Sequence, residues 1–148
     1  MIYSGSRNPN TLYFHVKNLE QGKVYGFSVI AYNFNGAGDE STVAYFKPCQ
    51  VPSGLATPEI ISTTESELAL LWAPPQDDGA CPILGYVLYF DDGDTNSDFV
   101  AVDTDAIANK DYLRSHTVTF QPAQAGLTFR YILEAINEIG SATSPIGS

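Results

Sequence analysis

The sequence predicts an all-β chain whose folded part is a sandwich of two sheets. Three observations carry that expectation. Apolar residues alternate at period two in several short runs, turn-forming Gly, Pro, Asn and Asp separate those runs, and one alternating segment recurs about a hundred residues further on. No stretch has a helical period.

The recurring segment is the strongest of the three. Leu19 to Asn33, followed by Gly36, matches Gly126 to Asn137, followed by Gly140. One offset of 104 residues relates Gly22 to Gly126, Ala31 to Ala135, Asn33 to Asn137 and Gly36 to Gly140. That period suits a small sandwich module and is far too long for a solenoid repeat. Within each copy the apolar positions alternate: Tyr25, Phe27, Val29 and Ala31 in the first, Phe129, Tyr131, Leu133 and Ala135 in the second. Each set reads as a strand with one face in a core. The Asn-x-x-Gly that follows is turn chemistry.

The remaining strands fall in order. Thr11 to Val16 is apolar and aromatic, and Thr42 to Phe46 follows the first repeat segment. Leu68, Leu70 and Trp72 alternate until Pro74 and Pro75 stop the strand. Ile83 to Phe90 puts Tyr86, Leu88 and Phe90 on one face. Asp91-Asp92-Gly93-Asp94 is a hairpin turn that returns through Phe99 to Val102, and Thr117 to Phe120 is a further strand.

These motifs resemble the fibronectin type III family. Trp72, at the end of Glu67 to Trp72, fits the buried tryptophan of that family's strand B, and Ile83 to Phe90 fits its strand C. Leu19 to Gly36 follows its E–F corner and strand F, with Gln21 where proline is usual. The resemblance implies an immunoglobulin-like β-sandwich of type III topology. It divides the chain into the C-terminal half of one module (1–47), a short linker (48–52) and a nearly complete module (53–148). It places His15 and His116 on E-type strands as structural residues. It makes Phe129 the counterpart of the corner tyrosine, without that tyrosine's hydrogen bond. The first half-module should expose an inner face that its missing sheet would cover. The last residues should stop partway through strand G, as if both ends were cut from a longer array. Two prolines, Pro48 and Pro52, make the linker stiff.

The formal net charge is −10. Residues 1–50 hold four basic and three acidic side chains, residues 51–148 three basic and fourteen acidic, so the acidity belongs to the second half. Such a surface repels phosphate backbones and anionic lipid, and so excludes nucleic acid as the natural partner; cations or a basic protein suit it better. No apolar run is long enough to span a bilayer, and the N-terminus lacks the pattern of a signal peptide. No Asn-x-Ser/Thr sequon occurs.

Two local constellations stand out. Asp92, Asp94, Asn96 and Asp98 alternate along the hairpin turn, with Asp103 twelfth from Asp92. Oxygen ligands so spaced can wrap calcium, although Ser97 stands where an EF-hand needs glycine and strands flank the loop. The alternative is a solvated turn, since Asp, Asn and Gly favour turns for backbone reasons alone. The Asp77-Asp78-Gly79 loop reads as another such turn.

The second constellation is Cys49 and Cys81, the only cysteines. On the type III fold they lie towards the same pole, so either a disulfide or two inert thiols is open. A bridge would close a loop worth about 3–4 kcal/mol in the chain-entropy model. No nucleophile motif or His/Cys metal spacing appears. The resulting expectation is a non-catalytic structural or adhesive spacer contacting other proteins or neighbouring modules, without a cofactor other than the calcium just considered. A receptor segment or an accessory module of a larger enzyme are the alternatives. The resemblance favours an extracellular or cell-surface site, with an intracellular cytoskeletal scaffold as the other.

Overall fold

A computed structural model describes residues 3–5, 8, 10–93, 98–121 and 126–148. The chain forms two compact units, Met1–Pro48 and Cys49–Ser148.

Unit 1 is a bent hairpin. Strands β1 (Tyr25–Phe27) and β2 (Ile30–Asn33) run out; β3 (Gly36–Glu40) and β4 (Ala44–Phe46) return. β2 pairs with β3 and β1 with β4, both antiparallel. The single strand expected from Tyr25 to Ala31 is therefore interrupted. At the break the Val29 N–H donates to Ser41 Oγ (2.9 Å) and the Ser41 N–H to the Val29 carbonyl (2.9 Å). These bonds carry the ladder across the irregularity. At the tip, Asn33 Oδ1 accepts the Asn35 N–H (2.8 Å), the side-chain turn that the Asn-x-x-Gly motif predicted. Tyr25 is a true corner residue, its hydroxyl accepting the Glu20 N–H at 2.8 Å.

The apolar alternation does not make a core here. Val29 is 71% exposed and Phe34 fully so, because no second sheet covers the ribbon among the described residues. For the same reason Thr11 to Val16 is not a strand. A strand needs a neighbour for its N–H and C=O groups, and among the described residues of unit 1 no ladder receives it. His15 consequently lies outside any strand, in edge contact with Tyr13.

Unit 2 is the sandwich. One sheet holds β5 (Glu59–Thr63), β6 (Glu67–Leu71) and β9 (Ser115–Thr119). The other runs β11 (Ser141–Thr143), β10 (Tyr131–Ile136), β7 (Gly85–Phe90) and β8 (Val100–Val102). Every pairing is antiparallel, and β7 and β10 pair over six residues from Tyr131↔Phe90 to Ile136↔Gly85. The alternation expected for both strands appears directly in their burial. Tyr86, Leu88 and Phe90 face the core opposite Leu70, Trp72 and Val118, and Tyr131, Leu133 and Ala135 do the same. Each large side chain so buried contributes about 1.5–3 kcal/mol.

Three features differ from expectation. A single helical turn, α1 (Thr104–Ile107), follows β8 and drives Ile107 fully into the core; one turn is too short to show a period. Pairing on β10 runs past β11, where Ser144 donates its N–H to Leu133 and Gly147 exchanges both backbone bonds with Tyr131. Finally, residues 49–52 are not a free linker. Gln50 donates its N–H to the Gly79 carbonyl (2.8 Å) and Pro52 is fully buried, so they belong to unit 2.

One hydroxyl ties the two sheets. Tyr131, which opens β10, donates to the Pro58 carbonyl at 3.0 Å just before β5. Phe129, at the corner position, has no hydroxyl and stacks on Phe120 with centroids 4.5 Å apart. Tyr131→Phe is expected to destabilise unit 2 by about 1–3 kcal/mol, the cost of a buried carbonyl left without a donor. Urea denaturation followed by Trp72 fluorescence measures it, and an unchanged midpoint would remove this bond from the account.

Candidate functional site

Two regions of unit 2 concentrate polar chemistry. The first is the pole where residues 49–54 meet the β6–β7 loop and the β10–β11 turn. Its centre is Asn137, 3% exposed. The Asn137 Nδ2 group donates to the Gln50 carbonyl (2.7 Å) and the Asp78 carbonyl (2.9 Å). Its Oδ1 accepts the N–H groups of Ile139 (2.9 Å) and Gly140 (3.1 Å). One side chain thus fastens three segments that are far apart in sequence. The β6–β7 loop is shaped to reach it, with Gly79 at φ 75° and Ala80 at φ 62°. A Cβ on Gly79 would lie 2.0 Å from the Gln50 carbonyl oxygen, so glycine is required there. Asp77 and Asp78 accept the N–H groups of Gly79 and Ala80, the turn role expected of them.

The structure joins Cys49 to Cys81 in a disulfide with Cα atoms 5.6 Å apart. Cys81 is 1% exposed. The carboxylate of Glu138, next to Asn137, lies against the bridge. Its Oε1 is 2.7 Å from Cys81 Sγ and 3.6 Å from Cys49 Sγ. Sequence reading did not single out Glu138, because only the β10–β11 turn brings it to cysteines 57 and 89 residues away.

The second region is the β7–β8 edge. A cavity of about 570 Å³ opens there over Phe90, Phe120 and Phe129, with Asp91, Asp98 and Asp103 among its acidic lining. Asp94 and Asn96, two of the four expected calcium ligands, lie outside the described residues. The other two, Asp92 and Asp98, line the cavity. Neighbouring carboxylates are engaged with basic side chains of the chain itself. Asp103 pairs with His116 on β9 at 2.9 Å, and buried Asp91 accepts from the Arg130 side chain (2.5 Å) and backbone N–H (2.9 Å). Among the described residues, no three His, Cys, Asp or Glu ligands converge at this edge.

The strand order β11-β10-β7-β8 facing β5-β6-β9 decides the fold, and it superposes on a known one. Residues 49–148 have the fibronectin type III fold. The chain matches a crystal structure of titin domains with a TM-score of 0.67 at 19% identity, covering 88% of this chain and 41% of that one. Fibronectin type-III domain-containing protein 3A of Mus musculus is 36% identical over 84 residues, 55% of this chain and 7% of that protein. A cell adhesion molecule-related protein of Xenopus laevis is 33% identical over 105 residues, 62% of this chain and 8% of its own length. The chain spans between 7% and 17% of the curated relatives it matches first. No protein-family model matches it. On the type III fold, β10 is strand F, β7 strand C, and the Asn137 pole is the one carrying the B–C and F–G loops.

Two outcomes test this description. Asn137→Ala strips two carbonyls and two N–H groups of their partner and is expected to cost about 2–4 kcal/mol, read as a lowered urea midpoint. Asp91 gives a pH dependence. Burial alone would raise its carboxyl, but bonds from the Arg130 side chain, the Arg130 N–H and the Gly93 N–H outweigh burial and hold it below its ordinary value. A carboxylate lowered on folding stabilises the fold above its unfolded value, about 3.9, and loses that contribution as pH falls through its folded value. Asp91→Asn is therefore expected to flatten the acid limb of stability against pH; a parallel, merely displaced curve would assign that limb to other groups.

Proposed function

We propose that this chain is a non-catalytic spacer segment of a larger multi-module protein, bearing mechanical load and contacts with other proteins. The carrying observation is where the backbone joins unit 2. It comes in at Gln50, fastened beside the C-terminal end of β10 by Asn137, and it reaches Gly147, paired with Tyr131 at the N-terminal end of the same strand. β10 is six residues long, about 20 Å. Pull on the two ends therefore runs along the length of the sandwich, and the ladders of β10 and β11 lie in its path.

The inward-facing apolar side chains of β6, β7 and β10 are committed to the core, and the aromatic stripes belong to packing. The matches are to segments of much longer proteins, one of them named as adhesion-related. That supports contacts at the cell surface or outside it, as does the disulfide, which persists in oxidising compartments. The acidic surface of unit 2 favours a basic partner.

Force spectroscopy tests the load-bearing reading. The full chain, held by its two ends, is expected to give a distinct unfolding peak from unit 2. Reducing the disulfide should add the 32 residues it closes off, about 11 nm of extra contour length. Extension of unit 2 without a peak, oxidised or reduced, would defeat the proposal.

A further inference from the structure

We propose that Cys49, Cys81 and Glu138 form a redox-gated site for one thiophilic divalent cation of the zinc class, occupied only when the disulfide is open. The site lies wholly within unit 2 and does not depend on the spacer reading.

The geometry carries it. The two sulfurs and a Glu138 carboxylate oxygen all lie within 4.8 Å of one another, the one such group of His, Cys, Asp and Glu ligands among the described residues. A tetrahedral zinc centre has Zn–S near 2.3 Å and Zn–O near 2.0–2.2 Å, which separates its sulfurs by about 3.8 Å and sulfur from oxygen by about 3.5 Å. Glu138 Oε1 stands 3.6 Å from Cys49 Sγ, near the zinc separation, and 2.7 Å from Cys81 Sγ, a distance that must lengthen when the metal enters. Cα atoms 5.6 Å apart let the sulfurs part to the zinc distance by side-chain rotation alone. Three protein ligands leave a fourth position for water.

The scaffold survives reduction. Cys49 precedes Gln50, Cys81 follows the Asp77–Ala80 turn, and Glu138 follows Asn137. Those three segments are held to one another by the Asn137 bonds and by Gln50 N–H to Gly79, none of which involves sulfur. Opening the bridge leaves the ligands assembled, and little ordering remains for the metal to impose. Two sulfur donors select a soft cation over calcium or magnesium, and the third, anionic ligand adds charge attraction on an acidic unit.

The chemistry balances. A dithiol reductant transfers two electrons and two protons to the disulfide, giving two thiols, and is itself oxidised to a disulfide. Zn²⁺ then displaces both thiol protons, forming two Zn–S bonds and one Zn–O bond to the Glu138 carboxylate. Disulfide and metal exclude each other, because each uses the same sulfur electron pairs.

The test is a Cd²⁺ titration of the full chain, reduced anaerobically with a phosphine that is consumed as its oxide, and followed by the ultraviolet sulfur-to-cadmium charge-transfer band. Zn²⁺ competition then reports zinc. The expected result is one equivalent bound by reduced protein, no band in oxidised protein, and loss of the band in Cys81→Ser. Glu138→Gln alters an exposed residue and keeps both thiols. It is expected to weaken Cd²⁺ by tenfold or more, since losing even an outer-shell partner costs a metal site about 10–100-fold. Far-ultraviolet circular dichroism confirms that each variant is folded. Absence of a one-to-one band in reduced protein overturns the site. So does an equal band in the oxidised protein. Unchanged affinity in folded Glu138→Gln overturns the three-ligand assignment.

Discussion

A β-sheet with one apolar face is stable in water only when another layer covers that face, and this requirement shapes both units. In unit 2 it is met. Leu70, Trp72 and Val118 from one sheet close on Tyr86, Leu88, Phe90, Tyr131 and Leu133 from the other. Ile107 from the helical turn fills the same core. Unit 1 has the same alternation along Tyr25 to Ala31, but among the described residues it has no opposing sheet. Its strands are short, and most of its large apolar side chains, Val29, Tyr32 and Phe34 among them, face solvent. Equal patterns therefore give unequal structures. Periodicity specifies which face would be buried, while a second sheet decides whether it is.

With the core closed, the polar organisation of unit 2 follows from where strands end. Asn137 sits one residue past β10, where a backbone turn needs help and two other segments pass within reach. A single amide with two donors and one acceptor oxygen satisfies all three, which is why it tolerates burial. The same convergence brings Cys49, Cys81 and Glu138 together. At the opposite edge, Asp91 and Asp103 are answered by Arg130 and His116, so carboxylates drawn close by the hairpin find partners within the chain.

The fold was largely legible in the sequence because its strongest signals are local. Alternation in β7 and β10, the Asn-x-x-Gly turn and the stop at Pro74-Pro75 each depend on neighbours within a few residues. The 104-residue repeat supplied the architecture. Thr11 to Val16 was misread as a strand because strand propensity says nothing of whether a partner exists. α1 escaped because a single turn carries no period. The site was legible only in part. The two cysteines could be placed at one pole, but Glu138 could not, since its position depends on a turn that folds back across most of unit 2. The hairpin acids showed their spacing, yet not that Asp91 already pairs with Arg130 and Asp103 with His116.

The displacement of one hydroxyl along strand F has a further consequence. At equivalent points of the repeat, unit 1 reads Tyr25 then Phe27, and unit 2 reads Phe129 then Tyr131. Tyr25 answers a local backbone N–H, whereas Tyr131 reaches across to Pro58. Modules strung in series are prone to exchanging like strands while they fold, and the hazard grows with their similarity. Were the strand of unit 1 to insert in place of β10, Phe27 would stand where Tyr131 belongs and leave the Pro58 carbonyl buried without a donor. In the reverse exchange, Phe129 would leave the Glu20 N–H without its acceptor. Each unit would thus accept the other's strand only with a backbone group left unanswered.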